Sequence, residues 1–183
     1  MNVADVRTVG IVGAGLMGHG IALQFGMHGY RTVLVDRTDE ILARALVNCR
    51  ETLQLLEGMG LAPDGAAAAL DLISSTTDLA SAAADVDFWI EAVFEDLALK
   101  KRVFAELDDA APAHVIFASN TSSFMASQLA PATQRRDRVL VANWWNPPYL
   151  LPLVEVVRGP ETSDATVELT AGLFRSLGKR PVV

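Results

Sequence analysis

Short β-branched apolar runs alternate along the chain with longer stretches whose apolar residues recur at helical spacing. Thr8 to Val12 is the first run, closed by glycines, and Leu16 to His28 is the first helical stretch. Gly29-Tyr30 turns the chain into Arg31 to Val35, so a βαβ unit is complete by Asp36. From Asp39 to about Gly58, the residues Ile41, Leu42, Ala45, Leu46, Cys49, Leu53 and Leu56 share one side and predict a long amphipathic helix, stopped by Gly58 and Gly60. An Ala-rich segment without a clear period follows. Beyond it Asp87 to Val93 predicts a buried strand, Leu97 to Leu107 a helix charged on one side, and Val115 to Ala118 a strand running into the polar turn Ser119-Asn120-Thr121-Ser122-Ser123. Val139 to Ala142 and Leu153 to Val157 are strands separated by the turn Asn146-Pro147-Pro148. Ser163 to Leu177 is helical, and Pro181 to Val183 starts another strand. Strands alternating with helices predict an α/β fold, a mostly parallel sheet with helices on both faces.

Length changes the picture only by limiting it: 183 residues, 51% of them hydrophobic, are enough for one well-buried core and too few for two ordinary domains, so residues 1–183 are expected to form one domain. The formal charge of −7 gives no electrostatic footprint for nucleic acid or an anionic membrane, and neither is expected as a partner. An anionic cofactor is still possible where backbone N–H groups at a helix N-terminus bind it. The single cysteine, Cys49, sits among Leu46, Val47 and Leu53 and is read as core packing rather than as a reactive thiol. No signal peptide, membrane span or metal-ligand pattern is visible, so a soluble cytoplasmic protein is expected. The chain stops within an apolar strand start, which reads as a fragment of something longer.

Gly13-Ala14-Gly15-Leu16-Met17-Gly18 is a GxGxxG sequence. Alone it is weak, and its bland reading is a tight strand-to-helix turn. Here it follows a strand, opens a helix, and precedes Asp36 at the end of the second strand, the full context of a Rossmann dinucleotide site. The first glycine serves the turn, the second the approach of a pyrophosphate, and the third the packing of helix on sheet. Asp36 favours NAD, because a carboxylate accepts from a free ribose and repels the 2′-phosphate of NADP. Arg37 is the counter-argument and is read as solvated or stacked on adenine. His19, one residue past the motif, is expected on the helix surface rather than in catalysis.

Further segments follow in one order: Glu91-Ala92-Val93-Phe94-Glu95 with Lys100, then Ser119-Asn120-Thr121-Ser122-Ser123, then Asn146-Pro147 and Leu153-Val154-Glu155-Val156. With the glycine motif they make the chain resemble the NAD-binding domain of the 3-hydroxyacyl-CoA dehydrogenases, over almost its whole length. The resemblance implies NAD-dependent oxidation of an L-3-hydroxyacyl-CoA to the 3-keto compound, a reaction of fatty acid metabolism. It implies that Glu95 and Lys100 contact the nicotinamide half of NAD, and that Ser122 and Asn146 lie beside the nicotinamide and the reacting hydroxyl, with Asn120 on the same sheet edge. The bland alternatives are a solvated helix face for Lys100 and turn capping for Ser122 and Asn120.

The family's general base is a histidine three residues before the Asn-Pro pair, oriented by a glutamate of the next strand. That position is Asn143 here, while Glu155 is present. An amide cannot accept the hydroxyl proton near neutral pH, so impaired oxidation or a non-catalytic NAD-binding module is expected. His19 and His114 offer no rescue, His114 preceding a strand at the opposite edge. The stretch Glu51 to Leu61 has no basic residue, where the family carries lysines for the 3′-phosphate of coenzyme A. Asn146 to Glu155 also resembles relatives that oxidise small free hydroxy acids, such as gulonate dehydrogenase. The substrate is thus expected to be a 3-hydroxyacyl-CoA or a free 3-hydroxy acid. The family's C-terminal helical domain, which closes the cleft and forms a homodimer, is absent from this sequence.

Overall fold

Successive side chains of the central strands enter two separate cores, which is why those runs are apolar at nearly every position and do not alternate. Ile11, Phe88, Ile90 and Leu140 point into one core, and Val12, Trp89, Phe117 and Val139 into the other. The computed structural model describes residues 2–183. Its strands are β1 (Thr8–Val12), β2 (Arg31–Val35), β3 (Ile73–Thr76), β4 (Phe88–Glu91), β5 (Ile116–Ser119), β6 (Val139–Trp144), β7 (Leu153–Arg158) and β8 (Arg180–Val182). The helices are α1 (Leu16–Met27), α2 (Asp39–Gly58), α3 (Leu79–Ala83), α4 (Leu97–Ala110), α5 (Ala126–Leu129) and α6 (Asp164–Ser176).

All eight strands join one sheet in the order β3-β2-β1-β4-β5-β6-β7-β8. Every pairing is parallel except β6 with β7. Residues of α1, α2 and α6 fill the first core, and residues of α3, α4 and α5 the second, so the expected Rossmann-type fold with both faces covered is the one observed. The chain runs outward from β1 in both directions, through β2 and β3 on one side and from β4 on the other. That reversal puts a crevice at the carboxyl ends of β1 and β4. Gly10 allows a local fit between these strands: it opposes Trp89 in register, and a Cβ there would stand 2.3 Å from the indole ring.

Several boundaries differ from expectation. The Ala-rich segment holds a 3-10 turn over Ala66–Leu72 and then β3, an edge strand whose Ile-Ser-Ser-Thr sequence carries no alternation. The strand expected over Asp87 to Val93 ends at Glu91, freeing Ala92 to Phe94 as a loop. The strand expected to stop at Ala142 continues to Trp144, which places Asn143 inside the ladder opposite Glu155. His19 is corrected outright: it is 6% exposed, not on the helix surface. Helix α1 is covered on all sides, Gly18 to Met27 being buried without a break. Cys49 is buried in the core as expected; its Sγ–H donates to the His19 carbonyl at 3.3 Å, and burial pushes the thiol up to about 12.

Candidate functional site

Gly13 leaves β1 with φ +98°, a conformation an L side chain avoids, and its N–H donates to the Val35 carbonyl at 2.8 Å. A Cβ on Gly18 would stand 1.7 Å from the Gly13 oxygen, so only glycine lets α1 pack this closely beneath the turn. Gly15 meets nothing within 4 Å, leaving open space over the N-terminal N–H groups of α1. The His19 ring packs under the turn, its Nδ1 2.8 Å from the Gly15 carbonyl. Asp36 braces the loop: its Oδ2 accepts from the Ala14 N–H and its Oδ1 from the Arg37 N–H, both at 2.7 Å. The crevice here holds about 670 Å³ and is lined by Gly13, Gly15, Leu16, Met17, Asp36, Arg37, Val93, Phe94 and Asn120. Ala14 and Gly18 lie buried behind it. A bare glycine face at a helix N-terminus, a carboxylate at the end of β2 and an apolar slot beside it fit a dinucleotide.

Beyond the reversal point, a buried charge cluster stands behind the crevice wall. Lys100 has no exposed side-chain surface, which excludes the solvated helix face. Its Nζ donates to Glu91 Oε1 at 2.8 Å, to the Val93 carbonyl at 3.3 Å and pairs with Glu95 Oε2 at 3.1 Å. Lys100 therefore lies under the lining loop rather than in the crevice. Glu95 is partly exposed and accepts from the Thr121 hydroxyl. Partial burial opposes, but Thr121 and Lys100 together hold its carboxyl below the ordinary range. Glu91 is fully buried, and burial pushes its carboxyl up, against the pull of Lys100 and of hydrogen bonds from Ser119 and Val93. Asn120 ties three strand ends together, its N–H donating to the Glu91 carbonyl at 2.7 Å and its Oδ1 accepting from the Trp144 N–H at 2.8 Å.

On β6 and β7 the half-buried Asn143 donates from Nδ2 to Glu155 Oε2 at 2.8 Å, a pair set by direct opposition in the antiparallel ladder. Ser122 and Asn146 stand exposed on the turns after β5 and β6, outside the crevice lining. His114 lies at the far edge, 3.5 Å from Asp87. Among the described residues no group of three or more His, Cys, Asp or Glu could hold a metal ion, and no helix is long and apolar enough to cross a membrane.

Sequence reading missed Glu91, Ser119, Thr121 and Lys179. Glu91 carried a signal, a carboxylate ending the apolar run Phe88-Trp89-Ile90. Lys179 carried none. It is buried without a carboxylate partner among the described residues; its Nζ donates to the Pro148 carbonyl at 2.5 Å and the Leu151 carbonyl at 3.0 Å, and lies 5.5 Å from the Trp144 ring centre. Burial pushes this ammonium down to about 8. The turn it holds is the one that carries Asn146, and the same turn presses on α1, where a Cβ on Gly20 would stand 2.7 Å from Pro148.

Residues 8–183 match the family described as 3-hydroxyacyl-CoA dehydrogenase, NAD binding domain. This chain belongs to that family. The NAD-binding domain is 40% identical over 183 residues to the hydroxyacyl-coenzyme A dehydrogenase, mitochondrial, of Sus scrofa, an alignment covering 97% of this chain and 58% of that protein. It is 37% identical over 179 residues to the L-carnitine dehydrogenase of Bacillus cereus, covering 98% of this chain and 54% of that protein. The crystal structure of the (S)-3-hydroxybutyryl-CoA dehydrogenase from Ralstonia eutropha superposes with a TM-score of 0.92 at 36% identity, over 97% of this chain and 62% of that one. The chain thus spans a little over half the length of the curated relatives it matches. The family is NAD-binding.

Proposed function

We propose that this domain serves an NAD-dependent oxidoreductase acting on the 3-hydroxyl of a 3-hydroxyacyl compound, and that Asn143 leaves it without the proton acceptor the step needs. Oxidising an alcohol takes a hydride from carbon and a proton from oxygen. NAD, when bound, accepts the hydride. The proton needs a group in hydrogen-bond reach that gains charge on accepting it. The observation that carries the reading is the Asn143–Glu155 pair: the carboxylate is in place, 2.8 Å from residue 143, and that residue is an amide. An amide nitrogen donates and an amide oxygen accepts, but neither takes up a proton near neutral pH. Asn143 can therefore orient a hydroxyl and not deprotonate it. Asn120, fixed between β4 and β6, and the exposed Ser122 and Asn146 are the polar groups of this edge available to orient the substrate.

A second reading, a free 3-hydroxy acid as substrate, has its own support. The outer face from Glu51 to Leu61 exposes Glu51 and Glu57 and carries no cation for the 3′-phosphate of coenzyme A. Like charge there opposes that phosphate. The test is NADH formation by the full-length protein on matched 3-hydroxyacyl-CoA, dephosphorylated 3-hydroxyacyl-CoA and free acid. Removing the 3′-phosphate is expected to change KM by less than about threefold, under 1 kcal/mol. A loss of about tenfold would show a cationic pocket and defeat the second reading. The same proposal carries a homodimer of the full-length protein, which sedimentation velocity checks.

A further inference from the structure

Glu91 stands where three parts of the site meet. It is the last residue of β4, in register with Ser119 at the end of β5, and has no exposed surface. Oε1 accepts from Lys100 Nζ at 2.8 Å and from the Val93 N–H at 2.7 Å, and Oε2 from the Ser119 hydroxyl at 2.5 Å. Its own carbonyl accepts the Asn120 N–H at 2.7 Å. Through Lys100 it also reaches Glu95, 3.1 Å from the ammonium. A buried ion pair of this kind contributes little net stability, because desolvation offsets the Coulomb attraction, so what it supplies is geometry.

That geometry is one-sided. A dinucleotide lies across the point where strand order reverses, with its adenosine half over β2, at Asp36, and its nicotinamide half over β4 and β5. The hydrogen bonds of Glu91 go only to the second half, to the Val93 N–H, Lys100, Ser119 and Asn120, although its backbone stands in register with Val12 at the start of the glycine loop. Nothing in its hydrogen bonding reaches the glycine loop. We propose that Glu91 is a positioning residue for the nicotinamide half of the cofactor, fixing the crevice wall from behind through Lys100, Val93 and Ser119. This rests on the reading of the crevice as the NAD site. Glu91→Gln keeps the shape, and the Ser119 hydroxyl can turn to accept from the new amide, but the charge facing the Lys100 ammonium is gone; Lys100 is left to Glu95 and the wall shifts.

The test compares two ligands on the full-length protein by titration calorimetry: NAD, and ADP, which lacks the nicotinamide and its ribose. Glu91→Gln is expected to weaken NAD by about tenfold or more and ADP by less than about twofold. Equal weakening of both would mean a general structural role, and unchanged NAD binding no role; either overturns the inference. Should Glu91→Gln fail to fold by circular dichroism, Ser119→Ala decides instead, since it removes one hydroxyl and keeps both charges. There NAD is expected to weaken by about threefold with ADP unchanged, and no difference between the ligands overturns the inference. A parent protein that binds neither ligand refutes the cofactor reading itself, which separates the two failures.

Discussion

At the glycine loop the geometry is made by backbone: the turn at Gly13, the N-terminus of α1, and main-chain N–H groups held by Asp36. At the ends of β6 and β7 it rests on one side-chain pair, Asn143 on Glu155. A cofactor site built from turns and packing survives most single substitutions, because few of them move the backbone. A proton acceptor is one side chain, and one substitution removes it while the ladder that positions it stays intact. Binding and chemistry can therefore part company in this fold without any change in its architecture.

The largest expected effect lies at the reacting end. Asn143→His in the full-length protein should raise kcat on a 3-hydroxyacyl substrate by about 10² to 10⁴, with NAD affinity unchanged. The gain should disappear when Glu155→Gln is added, because the carboxylate would no longer orient the imidazole. At the other end, Gly18→Ala drives a Cβ to 1.7 Å from the Gly13 oxygen. It should cost about 3 kcal/mol in urea unfolding and weaken NAD in proportion. A neutral result would show the turn to be softer than its packing implies.

Lys179 offers a measure of what holding the Asn146 turn costs. Its folded pKa, about 8, lies below the ordinary 10.5, so between those values the unfolded chain binds more protons and stability rises with pH. Relative to Lys179→Met, the parent should gain about 3 kcal/mol across that window and nothing below it. Parallel stability curves for the two proteins would refute the buried-ammonium description. The smallest effect is Asp36→Ala, which removes an acceptor from the Ala14 N–H and should weaken NAD by about 1 kcal/mol while narrowing its preference over NADP.

Legibility in the sequence followed the same division. The unit from Thr8 to Asp36 was readable because each signal is local: an apolar run, glycines at fixed spacing, an apolar helix, a carboxylate at a strand end. The Asn143–Glu155 pair was readable through the resemblance, and the ladder then brought the two together. What escaped notice depends on partners far along the chain. Lys100 was singled out through the resemblance, but its burial under the loop between Glu91 and Glu95 was not legible, and Lys179 looks solvated until Pro148 and Leu151 turn their carbonyls inward. His19 was misplaced because α1 has no polar face to betray which side is covered. Strand β3 was missed because an edge strand of Ile, Ser, Ser and Thr has neither a run nor an alternation.

The central claim is that position 143 holds no base while the cofactor site is whole, and the pH dependence of kcat/KM reads this directly. In the parent full-length protein, saturated with NAD, the rate should climb in proportion to hydroxide across the neutral range, since the hydroxyl proton must leave to solvent. In Asn143→His it should level off above the titration of the new imidazole, at a pH near or above about 6.5. A parent profile that levels off near neutrality would mean that another residue accepts the proton, and would contradict the account.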